Sequence, residues 1–575
     1  MSTPSTIEAL ADELLDLIAR EDPLDDALEG YPGVAGMLGD PSAGSDDRLA
    51  TQAHEIVARA RALVAPAGGP GLSTEHVTAA LVVQQAESVI TRRRAGLIDF
   101  TVADYQTSPL GRLLAALPEA RPVGPEQTRG FLDRLAGVPA YLAAAAQRHR
   151  DAVAAGRTPV AARLRSAVER IDSYLADADT DPLRTPPLDA DAAAERDQLL
   201  TELVRPAFAA YRDVLADEIA PYGRPAHQPG LCWLRDGQQT YEQLCRMHTT
   251  TRYSTQELHR IGEETVAQLA GECEAIGGPL LGAGSAAEVL ERLRGDRALC
   301  WSDGAQQLAA IRSAVERAER ALPGWFGTLP RVSCEVEPAP DAAAPSAYYL
   351  PAALDGSRPG AVFVNTHHAT ENSRCLADAL AFHEAVPGHH VQLTLAREQT
   401  SVPRLRRFAW INAYIEGWGL YAERLADEMG IYSGPLARLG MVVMDSLRAA
   451  RLVVDTGLHA FGWSRRAAID YLRATTVMGE AEIEREVDRY IDMPGQALSY
   501  LVGRLELQRI RAVAEHRLGD RFDLAGFHDV ILGSGPLPME LLADVVDGWV
   551  VTAPSQRGGG EVRLPPAQAG RAPLL

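Results

Sequence analysis

Aromatic side chains are scarce in this 575-residue chain, at 6% of the total. Ala and Leu fill many segments instead, so an α-rich fold is expected. Cysteine is sparser still: Cys232, Cys245, Cys273, Cys300, Cys334 and Cys375 are scattered without a Cys-x-x-Cys pair. That spacing excludes a thiolate zinc knuckle and a small disulfide scaffold, and it suits a reducing compartment. Basic charge is in deficit, 56 Lys and Arg against 77 Asp and Glu for a net of −21, which opposes binding to nucleic acid or to an anionic membrane surface. No apolar run approaches the 18 or so residues of a membrane span. The N-terminus, Met1-Ser2-Thr3-Pro4, has neither a basic region nor an apolar stretch of the secretory kind, and a cytoplasmic protein is expected. Its partner should be a peptide or small molecule.

What is present is a succession of helical patterns. From residue 6 to about 221 they are separated by Pro, Gly and Asp, and segments such as 141–155 and 161–176 carry apolar residues at helical spacing. Residues 1–230 are therefore taken as an N-terminal helical scaffold, 231–553 as the region that carries the chemistry, the two forming one continuous unit, and 554–575, rich in Gly, Pro, Gln and Arg, as a disordered tail. Ser254 or Thr255 is a plausible N-cap, and Gly277-Gly278-Pro279 marks a loop. β-structure is expected between Arg331 and Thr366, where Val332 to Val336 alternates and Ala361 to Thr366 follows a turn at Asp355 to Gly360. Helices are expected over 373–386, 404–429 and 435–456.

The chemistry concentrates in His383-Glu384-Ala385-Val386-Pro387-Gly388-His389-His390 and, downstream, Glu416-Gly417-Trp418-Gly419-Leu420-Tyr421-Ala422-Glu423. Two imidazoles and a carboxylate make an open zinc site, and one further carboxylate can serve as base. In the common zinc helix the second His follows the first by four residues, but here that position is Pro387. On a straight helix His389 would be rotated about 240° from His383, and His390 would lie about 10.5 Å along the axis. Pro387 and Gly388 suit a local bulge; looping out two residues returns His389 to the position of a ligand, whereas His390 needs three. One zinc ion per chain on His383, His389 and Glu416 is expected, with His390 as the alternative ligand and Glu384 as general base. Glu423 is either an orienting partner for a ligand His or a surface carboxylate. Tyr414 and Trp418 are expected to be core or wall, and His367 and His368 exposed.

These segments resemble the domain-of-unknown-function 885 family, whose members are predicted to be zinc metallopeptidases of the gluzincin type. Further matching stretches are Asn365-Thr366, Arg451 to His459 with Gly462-Trp463-Ser464, and Tyr490-Ile491 with Pro494 to Tyr500. One departure is Leu501, where the family commonly has Lys. The resemblance implies a large, mainly α, gluzincin-like fold with a deep cleft and a small β-sheet edge beside the zinc helix. His459, Tyr490 or Tyr500 could donate to an oxyanion. Arg448 or Arg451 could hold a substrate carboxylate. The edge from Tyr348-Tyr349 to Asn365 and Thr366 could bind an extended peptide by strand addition or could be a structural hairpin. The expected activity is zinc-dependent hydrolysis of peptide or amide bonds. The alternatives are an amide or ester hydrolase of a non-peptide metabolite and a non-catalytic zinc-stabilised binding protein, against which a free Glu384 weighs.

Overall fold

Apolar residues at i, i+4 and i+7 dictate the first helix, α1 (Thr6–Glu21), which buries Leu10, Leu14 and Leu17. It packs with α2 (Ala43–Leu63) and α3 (Thr74–Ala95), the latter capped by Ser73 and ended by Gly96 in the left-handed region. A computed structural model describes residues 6–24, 33–63, 72–103, 107–340, 342, 344–352 and 358–552. Helices make up 73% of the protein and the fold is mainly α, as expected. The expected tail over 554–575 and residues 355–357 of the expected turn lie outside the described residues.

The long α4 (Gly124–Ala154) and α5 (Ala161–Ala176) share a core of Phe131, Leu135, Leu142, Ile171 and Phe208. After them α6 (Thr255–Leu281) begins at Ser254, whose hydroxyl accepts the Glu257 N–H while Glu257 reaches back to the Ser254 backbone. The loop expected at Gly277-Gly278-Pro279 is corrected: α6 runs through it to Leu281 and stops at Gly282 (φ 67°). Packing explains this, since a Cβ on Gly277 would lie 2.5 Å from Val289 Cγ1, so the missing side chain admits a neighbour rather than a turn.

The helix α7 (Gly304–Ala321) leads to a three-stranded sheet of β1 (Glu335–Pro338), β2 (Ala347–Leu350) and β3 (Ala361–Val364), in the order β1-β3-β2. β3 is central and parallel to β1, and β2 pairs antiparallel to it with Tyr349 opposite Val362. Five helices follow that build the site: α8 (Ala377–Glu384), α9 (His389–Glu398), α10 (Asn412–Glu428), α11 (Pro435–His459) and α12 (Glu480–Asp492). The C-terminal part is α13 (Ser499–Leu518), α14 (Leu524–Gly533) and α15 (Met539–Thr552). The single helix expected over 404–429 is two: a short turn Arg404–Phe408, then extended backbone at Ala409 and Ile411, then α10.

Nearly every side of α11 is buried, which makes it the axis of this half of the molecule. α10 and α13 cross with their backbones in contact. A Cβ on Gly417 would lie 2.5 Å from Gly503 Cα, and one on Gly503 would collide with the Ala413 carbonyl. One apolar cluster joins Leu10 and Leu14 of α1 to Phe382 and Trp418 beside the site. Among the described residues no helix is long and apolar enough to cross a membrane.

Candidate metal centre

His383 lies in the last turn of α8 and Glu384 is its final residue. Ala385 then leaves helical backbone (φ −102°, ψ −96°), and Gly388 (φ −75°, ψ −133°) precedes the fresh start of α9 at His389. The expected bulge within one continuous helix is thus corrected to a complete break, with the helix expected over 373–386 ending at Glu384. Pro387 has no N–H to continue the ladder, and its preceding peptide is cis. The freed carbonyls are reused: Ala385 accepts the His390 N–H at 3.2 Å, Gly388 accepts the Gln392 N–H at 3.1 Å, and Pro387 accepts the Trp418 indole N–H at 2.9 Å. Glycine is required at 388 because a Cβ would strike the His383 carbonyl.

The break brings His383 and His389 together, with ring centroids 4.7 Å apart and planes at 84°. Glu416, in the second turn of α10, places Oε2 3.7 Å from Nε2 of each. All three ligand atoms lie within 4.8 Å of one another. Glu423 Oε1 accepts the Nδ1–H of His383 at 2.8 Å from a fully buried position, so the Nε2 of that ring faces Glu416. Gly419 makes room for the ring: a Cβ there would be 2.5 Å from His383 Cε1 and 2.8 Å from Nε2.

This donor set fits a divalent cation. Tetrahedral zinc with bonds of about 2.0–2.1 Å separates its ligand atoms by about 3.4 Å, so the two 3.7 Å separations to Glu416 need a contraction of a few tenths of an ångström, and the two imidazole ligand atoms lie within 4.8 Å of each other. Electrostatics agrees. Burial works against a charged imidazole at His383, but hydrogen bonding to Glu416 and Glu423 outweighs it and holds the pKa up at about 9. Burial also opposes ionisation of Glu416, yet the two imidazoles keep its carboxyl well below the usual range. Three carboxylates, Glu384, Glu416 and Glu423, gather near one guanidinium, Arg448, whose Nη2 is 3.9 Å from Glu423 Oε1. A dication bound at Nε2 would take the place of the proton that these carboxylates hold on His383.

Glu384 is not drawn into the ligand set. Its Oε2 accepts the backbone N–H of Tyr349 on the edge strand β2 at 3.0 Å, and burial pushes its carboxyl up despite the nearby imidazoles. Tyr349 also donates its hydroxyl to His390 Nδ1 at 3.0 Å, while His390 Nε2–H donates to the Val332 carbonyl at 3.0 Å. Both nitrogens of His390 are therefore committed, which removes it as the alternative ligand. Tyr349, expected on an edge that could bind substrate, uses its N–H on Glu384 and its hydroxyl on His390 and so clamps the chain on both sides of the helix break.

Several other expected site residues are placed elsewhere. His459 is fully buried, accepting the Leu231 N–H at Nδ1 (3.1 Å) and donating from Nε2 to the Tyr490 carbonyl (2.9 Å). With both nitrogens on backbone groups, and burial lowering its pKa to about 4, it is a neutral packing residue and has no donor for an oxyanion. Tyr490 is also sealed, its hydroxyl donating to Glu486 (2.5 Å) and accepting from Arg451 Nε (3.0 Å). Arg451 pairs with Glu486 at 2.8 Å. Asn365 clamps a loop, donating to the Ala342 and Ala344 carbonyls and accepting the His367 N–H, so it has no free group for substrate. Tyr414 and Trp418 are core, and His367 and His368 are exposed, as expected.

Tyr500, at the start of α13, stays with the cluster. Burial and then the Glu416 carboxylate push its hydroxyl pKa up, and its partly exposed ring lies 4.6 Å from the Arg451 guanidinium and 6.0 Å from that of Arg448. Gly419 and the Trp418 contact to the helix break are not legible from ligand spacing. For Gly419 the one local sign is Gly-x-Gly inside a helical pattern.

The profile of the bacterial proteins of unknown function designated DUF885 matches residues 23–546. The chain belongs to that family. A candidate lipoprotein from Colwellia psychrerythraea, known from its crystal structure, has 25% sequence identity and superposes with a TM-score of 0.87, covering 95% of this chain and 98% of its own. A candidate lipoprotein of unknown function from Shewanella oneidensis has 17% identity and a TM-score of 0.72 over 94% of this chain and 99% of its own, a likeness of fold. No curated protein matches the chain.

Proposed function

We propose that this member of the family is a zinc-dependent hydrolase of peptide or amide bonds. The observation that supports the reading is the convergence of His383, His389 and Glu416 with a further carboxylate, Glu384, beside them but outside the ligand set. A purely structural zinc site closes with four protein ligands and has no use for such a group. Zinc held by the three residues supplies Lewis acidity to a carbonyl or a water. Glu384, with one oxygen fixed by the Tyr349 N–H, takes the proton of the attacking water on its other oxygen and returns it to the leaving nitrogen. Glu423 keeps the His383 ring in register, and Tyr500, whose ring lies beside the Arg448 and Arg451 guanidiniums, is the candidate donor to the carbonyl oxygen as it gains charge. Substrate approaches over the partly exposed side of Glu384, Glu416 and Tyr500, where the cleft implied by the family resemblance is proposed to lie.

Metal analysis of the purified protein, paired with Glu384→Gln, tests this reading. One zinc per chain in both proteins is expected, with turnover of a peptide and N-acyl amino acid panel falling about 10²-fold or more in the variant. Undiminished turnover would refute the assignment of the base, and tight ligand binding without turnover by the wild type would favour a binding protein. A cytoplasmic location is part of the proposal. The two structural relatives are described as lipoproteins, so recovery of the native protein with membranes on cell fractionation would overturn that part.

A further inference from the structure

Arg448 is unlike the other arginines around the site. It lies on α11 with 7% of its side chain exposed, and its Nη1 is spent on the carbonyl (3.4 Å) and thioether (3.2 Å) of Met444 one turn back. Nε and Nη2 form the edge of a guanidinium that grips a carboxylate by two parallel bonds. Among the described residues neither makes a hydrogen bond: Nε is buried without a partner, and the Glu423 oxygen near Nη2 stands off at 3.9 Å. Its neighbours on the same wall are occupied, Arg451 with Glu486 and Tyr490, Arg489 with Glu486 and Gln496. A desolvated cation with one free edge therefore stands beside a centre rich in carboxylates, in a chain whose net charge is −21.

Resting on the hydrolase reading, we propose that Arg448 forms a subsite for a single substrate carboxylate, and that the preferred substrates are peptides or N-acyl amino acids with a free carboxylate just beyond the cleaved bond. A singly charged group matches the free edge of this guanidinium. Arg448 approaches Glu423, which itself holds the ligand His383 at 2.8 Å. Arg448 also acts on the Glu384 carboxyl and lies 6.0 Å from the Tyr500 ring, so a carboxylate reaching it belongs to a residue close to the cleaved bond, and cleavage is from the C-terminal end. The competing role is that of a counter-ion to Glu423 with no contact to substrate.

Three peptides of one sequence separate these roles: a free acid, its C-terminal amide, and an amide carrying Glu as the final residue. Their kcat/KM values are measured by chromatography of the fragments for wild type, Arg448→Met, Arg448→Lys and Glu423→Gln. The wild type is expected to favour the free acid over the amide by about tenfold or more, as charge-assisted bidentate bonds are worth. Arg448→Met should bring that ratio close to one, and Arg448→Lys, which keeps charge and fold but loses the fork, should fall between. Glu423→Gln should slow all three peptides and leave the ratio standing. A ratio unaltered in both Arg448 variants overturns the proposal, and restored cleavage of the Glu amide assigns the subsite to an acidic side chain instead of the terminus. Should the wild type cleave nothing, the hydrolase reading fails separately, and thermal-shift titration with N-acetylphenylalanine against its amide still decides the subsite. Tighter binding of the acid that is lost in Arg448→Lys supports it, and equal binding of the two overturns it.

Discussion

Gly419→Ala tests whether the His383 ring is held where a metal needs it. Judged as a helix substitution alone, the change should help, since Ala is favoured over Gly in a helix interior by about 0.5–1 kcal/mol. The site reverses the sign. The added Cβ would meet His383 Cε1, Nδ1 and Nε2 at 2.5, 2.7 and 2.8 Å, against an ordinary contact of about 3.5 Å, so the ring must retreat by roughly 1 Å. It has nowhere to go without leaving Glu423, whose 2.8 Å bond would lengthen past hydrogen-bond range. Overpacking of this kind destabilises by about 1–3 kcal/mol, which leaves a net loss of about 0–2.5 kcal/mol after the helical gain. Displacing an orienting contact weakens metal binding by about 10–100-fold. Urea unfolding would measure the first effect and zinc competition with a chromophoric chelator the second. A Gly419→Ala protein that binds zinc within about twofold of wild type and unfolds at equal or higher urea would refute the packing reasoning.

Other perturbations probe different parts of the same half. His389→Ala should lose zinc, whereas His390→Ala should keep it and chiefly lower stability, because the Tyr349 hydroxyl and the Val332 carbonyl lose their partner; zinc content of the two proteins decides. Glu423→Gln should retain the fold but bind zinc about tenfold or more weakly, checked by the same competition. Asp455, buried on α11 beneath Tyr241 and the Gly495 N–H, has its pKa raised to about 7, burial outweighing those hydrogen bonds. The native state thus holds a proton that the unfolded chain releases near pH 4, so stability from this group is full at low pH and falls as pH rises to about 7, by on the order of 4 kcal/mol. The urea stability of Asp455→Asn relative to wild type should therefore climb between pH 4 and 7, and a flat difference would refute it.

What the sequence made legible was chemistry carried by covalent neighbours. His383, Glu384, Pro387, Gly388 and His389 stand close enough in the chain that helix geometry alone shows something must give between the two imidazoles. That the helix is severed rather than bulged depends on Trp418 capturing the Pro387 carbonyl, a contact across 31 residues with no local sign. Gly277-Gly278-Pro279 looks like a loop because turn chemistry and close packing select the same residues, and only Val289 shows which applies. His459 sits at helical spacing from Asp455, a pattern shared with catalytic histidines, yet its partners are the backbones of Leu231 and Tyr490, which composition and periodicity do not expose. The extended residues 409–411 carry no Pro or Gly, so the interruption before α10 is a tertiary effect.

The backbone contact between Gly417 and Gly503 has a mechanical meaning. Most helix pairs are separated by side chains that can repack, so their spacing drifts as residues change. Here the spacer has been removed, and main chain rests on main chain. Glu416 lies one residue from that joint and Tyr500 one turn from it, so the Glu416 carboxylate and the Tyr500 hydroxyl hang from a shared bearing. Substitutions elsewhere in α10 and α13 can tilt the two arms about this point, but they have little leverage on the distance between them. The rest of the protein is thereby free to vary without loosening the pair.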